Sequence, residues 1–162
     1  MTIYDGGLQL EASTQTWTTS FQYATNTIAL EELKDIGAGT TVYVEFQVTE
    51  AFTTGTGATM VAAVIVANAT NLSGDPQIIA QLGNSTTPMT AAMLALGARF
   101  TLPLGSLDET RKAIPDATYL GVLAETTNTW TAGKFNIRLI LNANDNPLWK
   151  SFPASFTHFT VS

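Results

Sequence analysis

Val42-Tyr43-Val44-Glu45-Phe46-Gln47-Val48-Thr49 is the stretch on which the fold turns. Val42, Val44, Phe46 and Val48 share one parity, and Tyr43, Glu45, Gln47 and Thr49 share the other. Side chains of an extended chain point to alternate faces, so the first set is expected on a buried face and the second on a wetter one. The Thr- and Gly-rich residues 53–57 break the chain before a second strand over residues 59–67. Met60-Val61-Ala62-Ala63-Val64-Ile65-Val66-Ala67 is apolar throughout. That predicts cover on both faces, either at the centre of a packed sheet or beneath another chain.

Working toward the N-terminus, residues 35–39 read as a turn, and residues 31–34 are too short for more than a helical turn. Phe21, Tyr23, Thr25 and Thr27 share a parity that is lost at Ile28 and Leu30, which predicts a strand over 21–30 with a change of face midway. The stretch before it either supplies one or two short strands or forms an arm, residues 1–20, that orders against a neighbour. Toward the C-terminus, residues 68–76 read as a polar loop and 77–82 as a short strand. Residues 90–96 are the one helix candidate, rich in Ala, Met and Leu and stopped by Gly97. So short a helix is marginal, and a loop with one helical turn is the equal reading.

Further strands are expected over 99–104, with Pro103 marking an edge or an end, and over 118–125 and 134–141. Residues 106–116 form a charged connection between the first two of these. Residues 126–133 link the last two and carry Trp130 near their tip. A turn over 142–147 and a closing strand over 156–161 complete the pass. Roughly seven to nine short strands with Gly, Asn, Pro and Thr in the turns point to an all-β fold, an antiparallel β-sandwich of jelly-roll-like form with little or no helix. The 162 residues suit a single domain spanning 1–162.

Only 12% of residues are charged, against about 25% in an ordinary domain, and threonine takes much of their place. The net charge is −6, and the seven basic residues are scattered, with Arg111-Lys112 the only adjacent pair. They form no extended basic footprint, so nucleic acid is not an expected partner. No apolar run reaches the roughly 20 residues that cross a bilayer, and residues 1–5 lack a secretory pattern, so no membrane partner is expected. The chain has no cysteine, which removes disulfides, thiolate metal sites and a cysteine nucleophile.

The residues do not assemble an active site. His158 is the lone histidine; Asp145 or Glu125 would have to stand behind it in a triad, yet no G-x-S-x-G elbow marks a serine. Asp108, Glu109, Asp116 and Glu125 lack the spacing of a calcium loop. Gly37 and Gly39 lack the Gly-Lys-Ser/Thr ending of a phosphate loop and read as a sharp turn. Asn68, Asn71 and Asn84 match the glycosylation acceptor pattern, which chance explains in so Asn- and Thr-rich a chain. No catalytic residue, cofactor or metal is expected, and the reading is a binding protein. Trp17, Trp130 and Trp149 would suit stacking on a sugar, but aromatic residues at loop ends more often anchor cores or protein interfaces.

Several segments carry a resemblance: Asp35-Ile36-Gly37-Ala38-Gly39, Val42 to Val48, Glu50-Ala51-Phe52-Thr53, the strand to Ala67, Ala95-Leu96-Gly97-Ala98-Arg99-Phe100, Leu102-Pro103, Tyr119-Leu120-Gly121-Val122, and Thr131-Ala132-Gly133-Lys134-Phe135 leading into Leu139-Ile140-Leu141. In order and spacing, over residues 20–142, they resemble the capsid cement (decoration) proteins of tailed bacteriophages, the Bbp16 family. The resemblance implies a jelly-roll-like domain on the outer surface of the virion, made in the host cytoplasm, that cross-links major capsid protein subunits and pairs with a second copy of itself. This chain departs from the family in a long loop between residues 67 and 88 and in an aromatic C-terminal extension beyond Asn142.

Tyr4, Leu8, Leu10, Trp17, Trp130 and Trp149 are the candidate interface residues, since binding hot spots favour Trp and Tyr. A carbohydrate- or receptor-binding jelly roll of a phage tail or head is the alternative expectation.

Overall fold

A computed structural model describes residues 8–18, 21–31, 41–54, 57–105, 110, 113–114 and 116–140. The expected turns over 35–39 and 142–147 and the closing strand over 156–161 lie outside these residues. Among the described residues there are ten strands: β1 (Gln9–Ala12), β2 (Phe21–Tyr23), β3 (Ile28–Ala29), β4 (Val42–Thr53), β5 (Thr59–Ala67), β6 (Gln77–Leu82), β7 (Met89–Thr90), β8 (Arg99–Gly105), β9 (Tyr119–Thr126) and β10 (Ala132–Ile140). They form two antiparallel sheets. The first has the order β1-β10-β4-β8; the second has β2-β9-β5-β6, with β3 added on β9 and β7 on β5.

The period-two pattern sets the register. On the first sheet Val44 lies opposite Leu139, Phe46 opposite Ile137 and Val48 opposite Phe135. On the second, Ala62 meets Ala124, Val64 meets Val122 and Val66 meets Leu120. Each inward row therefore abuts another inward row, and the two sheets close on one core. A chain of rings runs through it. Trp17 meets Phe135 edge-on at 6.1 Å, Phe46 meets Phe135 at 5.8 Å, and Phe52 contacts both Phe135 at 4.7 Å and Trp130 at 5.3 Å.

The strand expected over 21–30 is split in two, and the change of face expected within it does not occur: Gln22 and Ile28 lie opposite the inward Ala124 and Leu120, so even positions face the core throughout, and Phe21 and Tyr23 face outward. Phe21 to Tyr23 run opposite Glu125 to Leu123, whereas Ile28 and Ala29 lie opposite Leu120 and Tyr119. Five residue steps on one side match three on the other, so the chain bulges between β2 and β3.

Residues 90–96 take the loop reading of their pair. Leu94 N–H and Met93 N–H both reach the Thr90 carbonyl at 3.0 Å, closing one turn, and the next backbone groups turn sideways to β4. Phe52 N–H donates to the Leu94 carbonyl and Gly97 N–H to the Val48 carbonyl. Pairing with a neighbouring strand has outcompeted a helix too short to hold itself. Helical backbone among the described residues is confined to Leu8 and to a turn at Thr110 and Ala113, where Ile114 N–H reaches the Thr110 carbonyl at 2.9 Å.

Candidate protein interface

The two outer faces differ in chemistry. On the first sheet the polar row pairs with itself. Glu45 is only 8% exposed and is bridged by Arg138 from β10 and by Arg99 from β8, the latter at 3.5 Å. Lys134 meets Glu50 at 3.0 Å, and Gln9 donates to Asn136 at 2.9 Å. These groups satisfy one another across neighbouring strands and give this face little demand for a partner.

The second sheet turns an apolar face outward. At one end Ala63, Ile65 and Ala67 of β5 are buried beneath Leu72, with Tyr23, Tyr119 and Leu123 packed around them. Residues 68–76 thus form a flap over the sheet. Leu72 holds a left-handed backbone, φ 59°, which costs a non-glycine residue roughly 1–2 kcal/mol and is offset by burial of its side chain. Gly121 makes room for it, because a Cβ there would stand 2.2 Å from Leu72 Cδ1. The cover expected over β5 is therefore supplied within the same chain, on the inner face by the opposite sheet and on the outer face, over Ala63, Ile65 and Ala67, by this loop.

The flap stops short of the other end. There a shallow groove of about 470 Å³ opens, lined by Val61, Ala63, Ile78 and Leu123, with Gln81 and Glu125 beside them. Phe21 lies opposite Glu125 in the ladder and is 53% exposed, and Ile78 is 60% exposed.

A second apolar surface sits on the loop at residues 90–98. Leu94, 0% exposed, anchors it in the core, while Met93 at 53% and Leu96 at 69% face solvent. The hydrogen bonds to Val48 and Phe52 hold the loop on β4, and Ala98 N–H closes it on the Ala95 carbonyl at 3.0 Å. Its apolar tips are displayed on fixed backbone, so little conformational entropy is left to lose on contact. Phe21, Ile78, Met93 and Leu96 are the large exposed apolar side chains among the described residues.

The residues singled out from the sequence are placed differently. Leu10, Trp17 and Trp130 are 0%, 1% and 0% exposed, and Leu8 packs partly buried against the core. Within this chain they offer no free ring or side chain to a partner. Trp130 is drawn inward from its link by Phe52, and Trp17 is held by a hydrogen bond from its backbone N–H to the Gly133 carbonyl at 3.0 Å. Tyr4 and Trp149 lie outside the described residues, as do His158, Asp145, Asp108 and Glu109. Asp116 and Glu125 are exposed, and no group of three His, Cys, Asp or Glu side chains gathers among the described residues.

Asn71 and Asn84 serve turns. Asn71 Oδ1 accepts from Ser73 N–H at 3.2 Å, and Asn84 Oδ1 accepts from Thr86 and Thr87 N–H at 2.9 and 2.8 Å. Met93 and Leu96 were hidden from sequence reasoning because they look like good helix formers. The groove did carry a signal, the all-apolar run of β5.

No family model and no curated protein matches the sequence.

Proposed function

We propose that this chain is a virion structural protein that binds the outside of a tailed-phage head and cross-links major capsid protein subunits, stabilising the DNA-filled capsid. In this reading the two sheets form a jelly-roll-like sandwich whose role is adhesion, and the protein works as a dimer. The resemblance described above supplies the partner. The observation that carries the adhesive role is the loop at 90–98, where buried Leu94 fixes the exposed pair Met93 and Leu96. Exposed apolar tips on rigid backbone are costly in water and favourable at an interface.

A low-charge surface rich in Thr also desolvates more cheaply than a charged one when it is buried. A single standard contact buries about 1,600 Å², and many copies on a shell add avidity. Sugar binding draws no support from Trp17 or Trp130, whose rings are enclosed.

The test is co-sedimentation of purified protein with heads that lack it. Saturable binding to heads at a stoichiometry matching a lattice position is expected. Binding to tails instead, or no saturable binding to heads, would reject the proposal.

A further inference from the structure

The groove on the second sheet poses a separate question, independent of any role on a capsid: what covers it? Its lining is apolar at Val61, Ile78 and Leu123 and carries one acidic group, Glu125, to which no cation is paired among the described residues. A matching occupant is an extended segment with several large apolar side chains, a basic group and no acid.

Of the chain outside the described residues, one stretch has that composition. Residues 147–162, Pro-Leu-Trp-Lys-Ser-Phe-Pro-Ala-Ser-Phe-Thr-His-Phe-Thr-Val-Ser, contain Leu148, Trp149, Phe152, Phe156 and Phe159, with Lys150 between the first three and no Asp or Glu. Residues 1–7, 32–40 and 106–109 carry acids, at Asp5, at Glu32 and Asp35, and at Asp108 and Glu109, and are short.

Length permits the match. β10 ends at Ile140, in the first sheet. The six residues 141–146 span up to about 20 Å extended, against a separation of about 10 Å between packed sheets. The sixteen residues that follow reach about 50 Å, whereas a nine-residue strand such as β5 is about 30 Å long. Ile140 lies opposite Tyr43, at the end of the sandwich where Ala67 pairs with Tyr119 and the flap sits, so the segment can pass round an edge and alongside the flap and reach the groove with its later residues, from about Phe152 onward.

We infer that residues 147–162 of the same chain dock on the outer face of the second sheet beyond the flap, with apolar side chains in the groove at Val61, Ile78 and Leu123 and the acid-free, basic segment set against Glu125. The docked segment covers this apolar face and leaves Met93 and Leu96 as the exposed apolar pair.

The chain has no cysteine, so Ser155→Cys supplies a single attachment point for a nitroxide on the full-length protein. Methyl spectra are then recorded. The Ile78, Val61 and Leu123 methyls are expected to broaden more strongly than Met93 in the labelled chain. Glu125→Lys, on an exposed side chain, is expected to weaken docking about threefold, the scale of an exposed ion pair, and so to reduce that broadening; Glu125→Gln has a smaller effect. Mixing isotope-labelled chains that lack the nitroxide with spin-labelled, unenriched chains separates the alternatives. Broadening in this mixed sample would overturn the proposal in favour of a second copy. Groove methyls unaffected in both samples would overturn it outright.

Discussion

Gly133 is held by two constraints at once. Its φ of 145° lies where L side chains rarely go, and a Cβ would stand 2.3 Å from Phe52 Cδ1. Phe52 has nowhere to move, being 2% exposed and packed between Phe135 and Trp130. Gly133→Ala is expected to cost about 3 kcal/mol, strain and overpacking together, and to lower Tm by about 10 °C. Gly97 supplies the control, with φ of 84° and nothing near its Cβ position. Gly97→Ala should cost only the backbone term, about 1 kcal/mol. Equal losses in thermal melts of the two variants would show that the Phe52 contact does not constrain the chain.

Glu11 is the other residue whose role depends on distant groups. It is 0% exposed. Its Oε1 accepts from Thr14 N–H, Thr14 Oγ1 and Gln15 N–H, and its Oε2 accepts from Thr25 N–H and Oγ1 at 3.0 and 2.9 Å. It ties β1 to the bulge between β2 and β3. Glu11→Ala strands these donors and is expected to lose about 3 kcal/mol in urea denaturation. Glu11→Gln, which keeps one carbonyl acceptor but turns an NH₂ toward the remaining donors, should lose less. An unchanged midpoint for Glu11→Ala would remove the clamp from the account.

Among the elements, β4 and β10 were legible because one buried face imposes strict alternation, and a one-residue slip would invert every side chain. The all-apolar run of β5 likewise exposed a strand with cover on its outer face, which the flap supplies at Ile65 and Ala67. The loop at 90–98 was not settled in the same way, since its composition favours a helix while its hydrogen bonds belong to β4, a partner more than forty positions away. The burial of Trp17, Trp130 and Leu10 was not legible for a related reason. Which aromatic residues a core recruits depends on where loops land, and local pattern carries no such information.

The loop also yields a prediction at its own scale. Met93→Ser with Leu96→Ser should leave stability within about 0.5 kcal/mol, both side chains being exposed. Attachment to heads should weaken by about 2 kcal/mol, roughly 30-fold at a single contact. Leu94→Ala should instead lower the melting temperature of the isolated protein, by about 2–5 kcal/mol of stability. Undiminished attachment of the Met93/Leu96 double variant in quantitative sedimentation would move the contact elsewhere.

For the whole molecule, the asymmetry of the two outer faces is the organising feature. One sheet presents ion pairs closed on themselves, and the other presents a flap and an apolar groove, with Met93 and Leu96 on a loop held by β4. The alternation of β4 and the all-apolar run of β5 carried part of this asymmetry, but which polar residues would pair across the first sheet depends on which strands become neighbours. The proposed role follows from this distribution together with the resemblance: an adhesive module that gains strength by repetition over a lattice. The central claim is that the protein holds a filled head together. Heads stripped of it and heads re-saturated with it should be heated side by side while DNA release is followed. The account predicts release at a distinctly higher temperature from the saturated heads; identical release curves at full occupancy would contradict it.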